Sequence, residues 1–73
     1  MNAGQEKFFN FIIERVGQEN QEKAKELLIE GFSRQDNGTF NKEYIMDFMP
    51  RMLELIKPEF IEEVKNIMTN YQA

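Results

Sequence analysis

Apolar residues recur at spacings of three and four in four successive stretches of this chain, and nowhere do apolar and polar residues alternate over a useful length. Side chains at i, i+3, i+4 and i+7 share one face of an α-helix, whereas a half-buried strand needs strict alternation. The pattern therefore predicts an all-α fold, a compact bundle of about four short amphipathic helices.

The first helix is expected from about Gln5 to Val16, on Phe8, Phe9, Ile12, Ile13 and Val16, with Phe11 widening the stripe. Gly17 offers a stop, since glycine takes a left-handed helix-end conformation freely. The second is expected from about Gln21 to Ser33, with Asn20 as N-cap and Ala24, Leu27, Leu28 and Phe32 inside. Gly31 weakens this helix by about 1 kcal/mol relative to alanine, a cost that close approach of another helix would explain. Its charged residues, Glu22, Lys23, Lys25, Glu26 and Glu30, form a solvated face.

The third helix is expected from about Lys42 to Ile56. Asn41 is its N-cap, and Phe40 and Ile45 are placed to form a hydrophobic staple. Tyr44, Ile45, Phe48, Met49, Met52, Leu53 and Ile56 form an unbroken stripe, with Met46 and Leu55 at its edges. A helix so apolar is central or lies at an interface. Pro50 in its middle removes one backbone hydrogen bond and predicts a kink. The fourth helix is expected from Pro58, a residue suited to the first helical position, to Tyr71, with Gln72 and Ala73 frayed. No internal repeat, linker or low-complexity tract is visible, so residues 1–73 read as a single helical domain.

A 73-residue chain buries only about 60% of the surface its unfolded form exposes. Small domains usually add disulfides, a metal or a partner chain. With no Cys and no His, disulfides and the usual zinc ligand sets are excluded, which leaves a well-packed core, a partner, or both. The start of the chain lacks the basic and apolar run of a signal peptide, no apolar run approaches the ~18 residues of a membrane span, and a cytoplasmic location is expected. The net charge is −4, from 13 acidic and 9 basic residues interspersed along the chain. Nothing forms the basic stripe that phosphate neutralisation requires, so neither nucleic acid nor membrane is an expected partner.

Ser33-Arg34-Gln35-Asp36-Asn37-Gly38-Thr39-Phe40-Asn41-Lys42-Glu43-Tyr44 resembles the twelve-residue calcium loop of the EF-hand family. Gly38 falls at the sixth position, where that loop turns sharply, and Phe40 at the eighth, where family members carry an apolar residue. The resemblance implies a divalent cation between two helices, for which Asp36, Asn37, Asn41 and Glu43 are the candidate ligands. The sequence departs from the family where it matters most: no carboxylate stands at a side-chain ligand position, and Tyr44 replaces the closing bidentate Glu. The competing reading of Asp36-Asn37-Gly38 is a tight turn.

Other chemistry finds no footing. There is no Cys or His for a nucleophilic triad, Ser33 is the only serine, and the four glycines form no phosphate loop. Neither an enzyme nor a cofactor is expected. Seven Phe and five Met remain to be explained. Methionine suits adaptable binding surfaces as well as irregular cores. The expectation is a small non-enzymatic interaction module that binds a protein partner, or itself as a homodimer, through Met46, Met49, Met52 and Leu55. The alternative is a divalent-cation-binding helix–loop–helix with a degenerate loop at 33–44.

Overall fold

The computed structural model describes residues 1–70, and the expected Tyr71 end of the last helix and the frayed Gln72 and Ala73 lie outside them. Among the described residues there are four helices: α1 (Ala3–Arg15), α2 (Gln21–Asp36), α3 (Lys42–Leu53) and α4 (Ile61–Asn70). A single 3₁₀ turn leads into α2 at Gln18–Asn20, and another leads into α4 at Pro58–Phe60. α1 packs on α2, α2 on α3 and α3 on α4, within an envelope of 31 × 20 × 18 Å. The all-α bundle matches the expectation from the apolar period.

The halves α1–α2 and α3–α4 share one construction. Between them, Val16 and Ile56 form an isolated antiparallel β-bridge. Gly17 N–H donates to the Leu55 carbonyl at 3.3 Å, and Lys57 N–H donates to the Arg15 carbonyl at 3.0 Å. The two bonds exchange under a shift of 40 residues, the separation of Val16 and Ile56. The same shift relates the 3₁₀ bonds Asn20 N–H to Gly17 carbonyl and Phe60 N–H to Lys57 carbonyl. It also relates Ile12 to Met52, Val16 to Ile56 and Ala24 to Val64, all of them buried. The chain is thus a structural repeat, contrary to the absence of one expected from sequence. The repeat is carried by backbone conformation and burial more than by residue identity.

Three local expectations are corrected. Gly17 is not left-handed: its φ −60°, ψ 143° is extended, because the chain enters the bridge there instead of turning back. Asn20 does not cap α2 through its side chain, since the preceding 3₁₀ turn runs into the helix and leaves Asn20 at φ −106°, ψ 0°. The kink expected at Pro50 is not quite matched: Pro50 lies inside α3, and the helix ends at Leu53, short of the expected Ile56. Proline leaves the Met46 carbonyl without its intrahelical donor. Met46 is 76% exposed, so water can reach that face. Beyond Pro50, Leu55 N–H and Ile56 N–H donate to the carbonyls of Met52 and Leu53, a 3₁₀-type closure that delivers Ile56 into the bridge.

α1 begins two residues earlier than expected, at a complete capping box. The Asn2 side chain accepts from Gln5 N–H at 2.7 Å, and the Gln5 side chain accepts from Asn2 N–H at 3.1 Å. Gln5 is only 3% exposed, the one buried polar residue among those described. Its amide Nε2 donates to Gln35 Oε1 at 2.9 Å and to Asp36 Oδ1 at 3.4 Å, which ties the start of α1 to the end of α2. Buried amides are tolerated when so paired.

Candidate binding cleft

The far end of the bundle from the Val16–Ile56 bridge opens into a small apolar cleft of about 50 Å³. α2 supplies Leu28, Gly31, Phe32 and Gln35. α3 supplies Ile45, Phe48 and Met49, and Phe40 stands on the connection between these helices. Phe8 of α1 and Met68 of α4 complete the wall. Among the described residues, Gln35 is the only polar side chain in this lining, and it already accepts from Gln5.

Gly31 sets the spacing of one wall. A Cβ there would stand 3.0 Å from Phe48 Cε2, so the missing side chain is what lets Phe48 lie against α2. Phe48 meets Phe40 edge-on at 6.0 Å between ring centroids, and Phe40 meets Tyr44 edge-on at 5.4 Å. Such arrangements add about 0.5–1.5 kcal/mol per pair beyond area burial. Tyr44 then links α3 to α2: its hydroxyl donates to Glu30 Oε2 at 2.6 Å. Arg51 donates to the same Glu30 oxygen at 3.3 Å and to Asp47 Oδ2 at 2.9 Å, while the Arg34 guanidinium covers the Tyr44 ring at 4.5 Å.

These contacts perturb three groups. The Tyr44 hydroxyl, followed by the charge of Arg51, holds the Glu30 carboxyl below its ordinary value. Burial pushes the Tyr44 phenol well up, and its bond to Glu30 adds to the rise. The hydrogen bond to Asp47 raises Arg51 further.

The 40-residue shift pairs positions of unequal burial. Gly31, Phe48 and Tyr44 bring α3 against α2. Phe8 is half-buried where its counterpart Phe48 is buried, and Ile67 is 42% exposed where its counterpart Leu27 is buried. At the bridge end α1 and α4 are joined by Arg15, whose Nε donates to Glu63 Oε1 at 2.7 Å and whose guanidinium lies over Phe11 at 3.9 Å.

The residues expected to form a docking surface are not brought together. Met49 lines the cleft. Met46 is exposed and lies outside its lining. Met52 is 0% exposed and belongs to the core, because Phe48, Met52 and Ile56 follow one four-residue line facing inward. Leu55 stands instead beside Leu27, Lys23, Glu26, Glu30, Arg51 and Glu54 in a charged depression of about 360 Å³ between α2 and α3. Phe8 and Phe40 also line the cleft but carry no site signal in the sequence. Phe8 reads as core from its period, and Phe40 reads as a staple.

The calcium-loop register is not realised in the backbone. Ser33 to Asp36 are still helical, and only residues 37–41 separate α2 from α3. Gly38 is the left-handed residue after the helix, at φ 74°. Gly38 N–H donates to the Gln35 carbonyl and Thr39 N–H to the Arg34 carbonyl, which is the Schellman closure. Asn41 caps α3 as expected, accepting from Tyr44 N–H at 2.9 Å. Of the candidate ligands, Asp36 accepts from Gln5, Asn37 ends α2, Asn41 is the cap, and Glu43 is exposed on the first turn of α3. Among the described residues, no three Asp or Glu converge in a group that could hold a metal ion. No helix among them is long and apolar enough to cross a membrane.

Compared with known proteins, the chain matches no family model, no curated protein and no solved structure.

Proposed function

We propose that this protein is a small non-enzymatic interaction module of the cytoplasm, and that it takes an apolar segment of a protein partner into the cleft. The observation that carries this reading is the lining itself: Phe8, Phe40, Ile45, Met49 and Met68 around an opening at one end of the bundle. Aromatic and methionine side chains are the usual anchors and adaptable contacts of protein-binding surfaces. A helix laid into an apolar groove is an established mode of such recognition. The lack of Cys and His, with a single exposed serine, supports the non-enzymatic part.

The test uses the full chain as bait in cell extract, followed by titration of the captured protein in purified form. Met49→Asp places a charge in the cleft, and Met46→Asp places one on the exposed face of the same helix. Circular dichroism first confirms that both variants fold. The expected result is at least tenfold weaker binding for Met49→Asp and unchanged binding for Met46→Asp. Equal affinity of the two folded variants sinks the cleft as the binding site.

A further inference from the structure

We infer that the two halves of this chain are exchangeable, so that α1–α2 of one copy pairs with α3–α4 of a second copy across the Val16–Ile56 bridge. This inference rests on the repeat and is independent of what enters the cleft.

Three of the bonds that join the halves are formed between residues far apart in sequence, Gly17 with Leu55, Lys57 with Arg15 and Arg15 with Glu63, and a fourth, Tyr44 with Glu30, straddles the connection. Each can form equally well when the second half belongs to another molecule. The connection contributes mostly local fastening. Gly38 N–H and Thr39 N–H return to α2, Asn41 N–H returns to Thr39, and the Asn41 side chain caps α3. Phe40 packs with Tyr44 and Phe48 of its own half and lies beside Gly31 of α2. Opening the turn at Gly38 therefore loses the helix-end closure, and the contacts of Phe40 with α2 are remade against α2 of the second copy.

Residues 37–41, fully extended, span about 17 Å at ~3.4 Å per residue. That is comparable to the 18 and 20 Å short dimensions of the bundle, so the second half can reach a neighbouring copy.

Charge selects unlike halves. The counterpart of Glu63 under the 40-residue shift is Lys23, and the counterpart of Arg15 is Leu55. Pairing two first halves would oppose Arg15 to Lys23. Pairing two second halves would leave Glu63 facing Leu55. Only first with second places Arg15 against Glu63, as within the single chain at 2.7 Å. Two such junctions between two copies close on themselves, the ordinary condition for a finite symmetric dimer. Within one chain the short connection keeps the halves at an effective concentration on the order of millimolar. Exchange should therefore be rare at micromolar protein and substantial near millimolar.

The chain has no cysteine, so engineered thiols report the pairing cleanly. Two single variants, Val16→Cys and Ile56→Cys, are unfolded together in denaturant, refolded as a mixture and oxidised. The double variant Val16→Cys/Ile56→Cys, refolded at about 10 µM, shows that the bridge geometry accepts the disulfide. The expected result for the mixture is a mixed disulfide dimer. It should be abundant near 1 mM, at least tenfold scarcer near 10 µM, and in excess over either like-with-like dimer. If the double variant closes its own bridge but the mixture gives no excess of mixed dimer at 1 mM, the inference is overturned. A second measurement decides the matter should the disulfide fail to close. Deletion of Gly38 and Thr39 removes the residue that reverses the chain, and light scattering should then report a helical dimer. A monomer, folded or unfolded, overturns the inference.

Discussion

Val16 and Ile56 face each other across an antiparallel bridge, each buried and each flanked by one hydrogen bond to the other half of the chain. Their positions are equivalent under the repeat, so truncating either should act alike. Val16→Ala and Ile56→Ala remove packing at the junction of both halves, where the surroundings cannot collapse without breaking the bridge. A loss of about 2–4 kcal/mol is expected for Ile56→Ala and somewhat less for Val16→Ala. Urea denaturation should show both transitions still cooperative, since neither half has a core of its own. Separate unfolding of the halves would show that they are independent.

Three glycines should respond differently to alanine. Gly17 has the same backbone conformation as its counterpart Lys57, φ −60° and ψ 143° against φ −59° and ψ 140°. A side chain is evidently compatible there, and the new Cβ would approach only the movable Glu19 carboxylate at 3.1 Å. Gly17→Ala should be neutral or stabilising by up to about 1 kcal/mol. Gly38→Ala forces a side chain into left-handed backbone and should destabilise by about 1–2 kcal/mol. Gly31→Ala gains helix propensity but must displace Phe48, for a net loss of about 1 kcal/mol. In a domain of this size 1 kcal/mol moves Tm by roughly 4–8 °C, so thermal melts separate the three.

Much of this architecture was legible in sequence. The apolar period located all four helices, Asn41 capped where its position before an apolar run suggested, and Gly31 marked a close helix approach. The misses share a physical cause, which is partnership across long sequence separation. Gly17 looks like a helix stop until the carbonyl of Leu55 is placed opposite it. The repeat is hidden because buried positions need only match in apolar character, as Ile12 does with Met52 and Ala24 with Val64. A continuous stripe cannot say which of its edges is covered, and the fold buried Met52, exposed Met46 and left Met49 in the cleft.

Gln5 was invisible to any reading of apolar pattern, yet it is buried and bonded both to its own cap and across to α2. Gln5→Ala removes one half of the capping box and leaves Gln35 without that donor. The expected loss is about 1–3 kcal/mol, the range for deleting a partner within a buried polar group's network. Gln5→Glu should also destabilise, because a carboxylate there would meet Asp36. The check is a pair of urea curves, in which the glutamate variant should recover part of its loss at acid pH. Full stability of Gln5→Ala would show that the contact to α2 contributes nothing.

The Tyr44–Glu30 bond makes stability depend on pH in two windows. Glu30 has its carboxyl held below the ordinary value. Its contribution is therefore present above the pKa of the unfolded chain and is lost as pH falls through the lower folded value. Because the Glu30 side chain is 43% exposed, solvent screening keeps the acid effect small. Tyr44 has its phenol raised above the ordinary 10.0. Its contribution is complete below about pH 10 and declines as pH rises beyond it, since the unfolded state releases the proton first. Tyr44→Phe deletes the hydroxyl and should cost about 1 kcal/mol at neutral pH. It should also flatten the decline above pH 10 and shrink the acid one. Denaturation curves from pH 3 to 11 on both proteins test this directly. An alkaline slope that persists unchanged in Tyr44→Phe would assign that dependence to other groups.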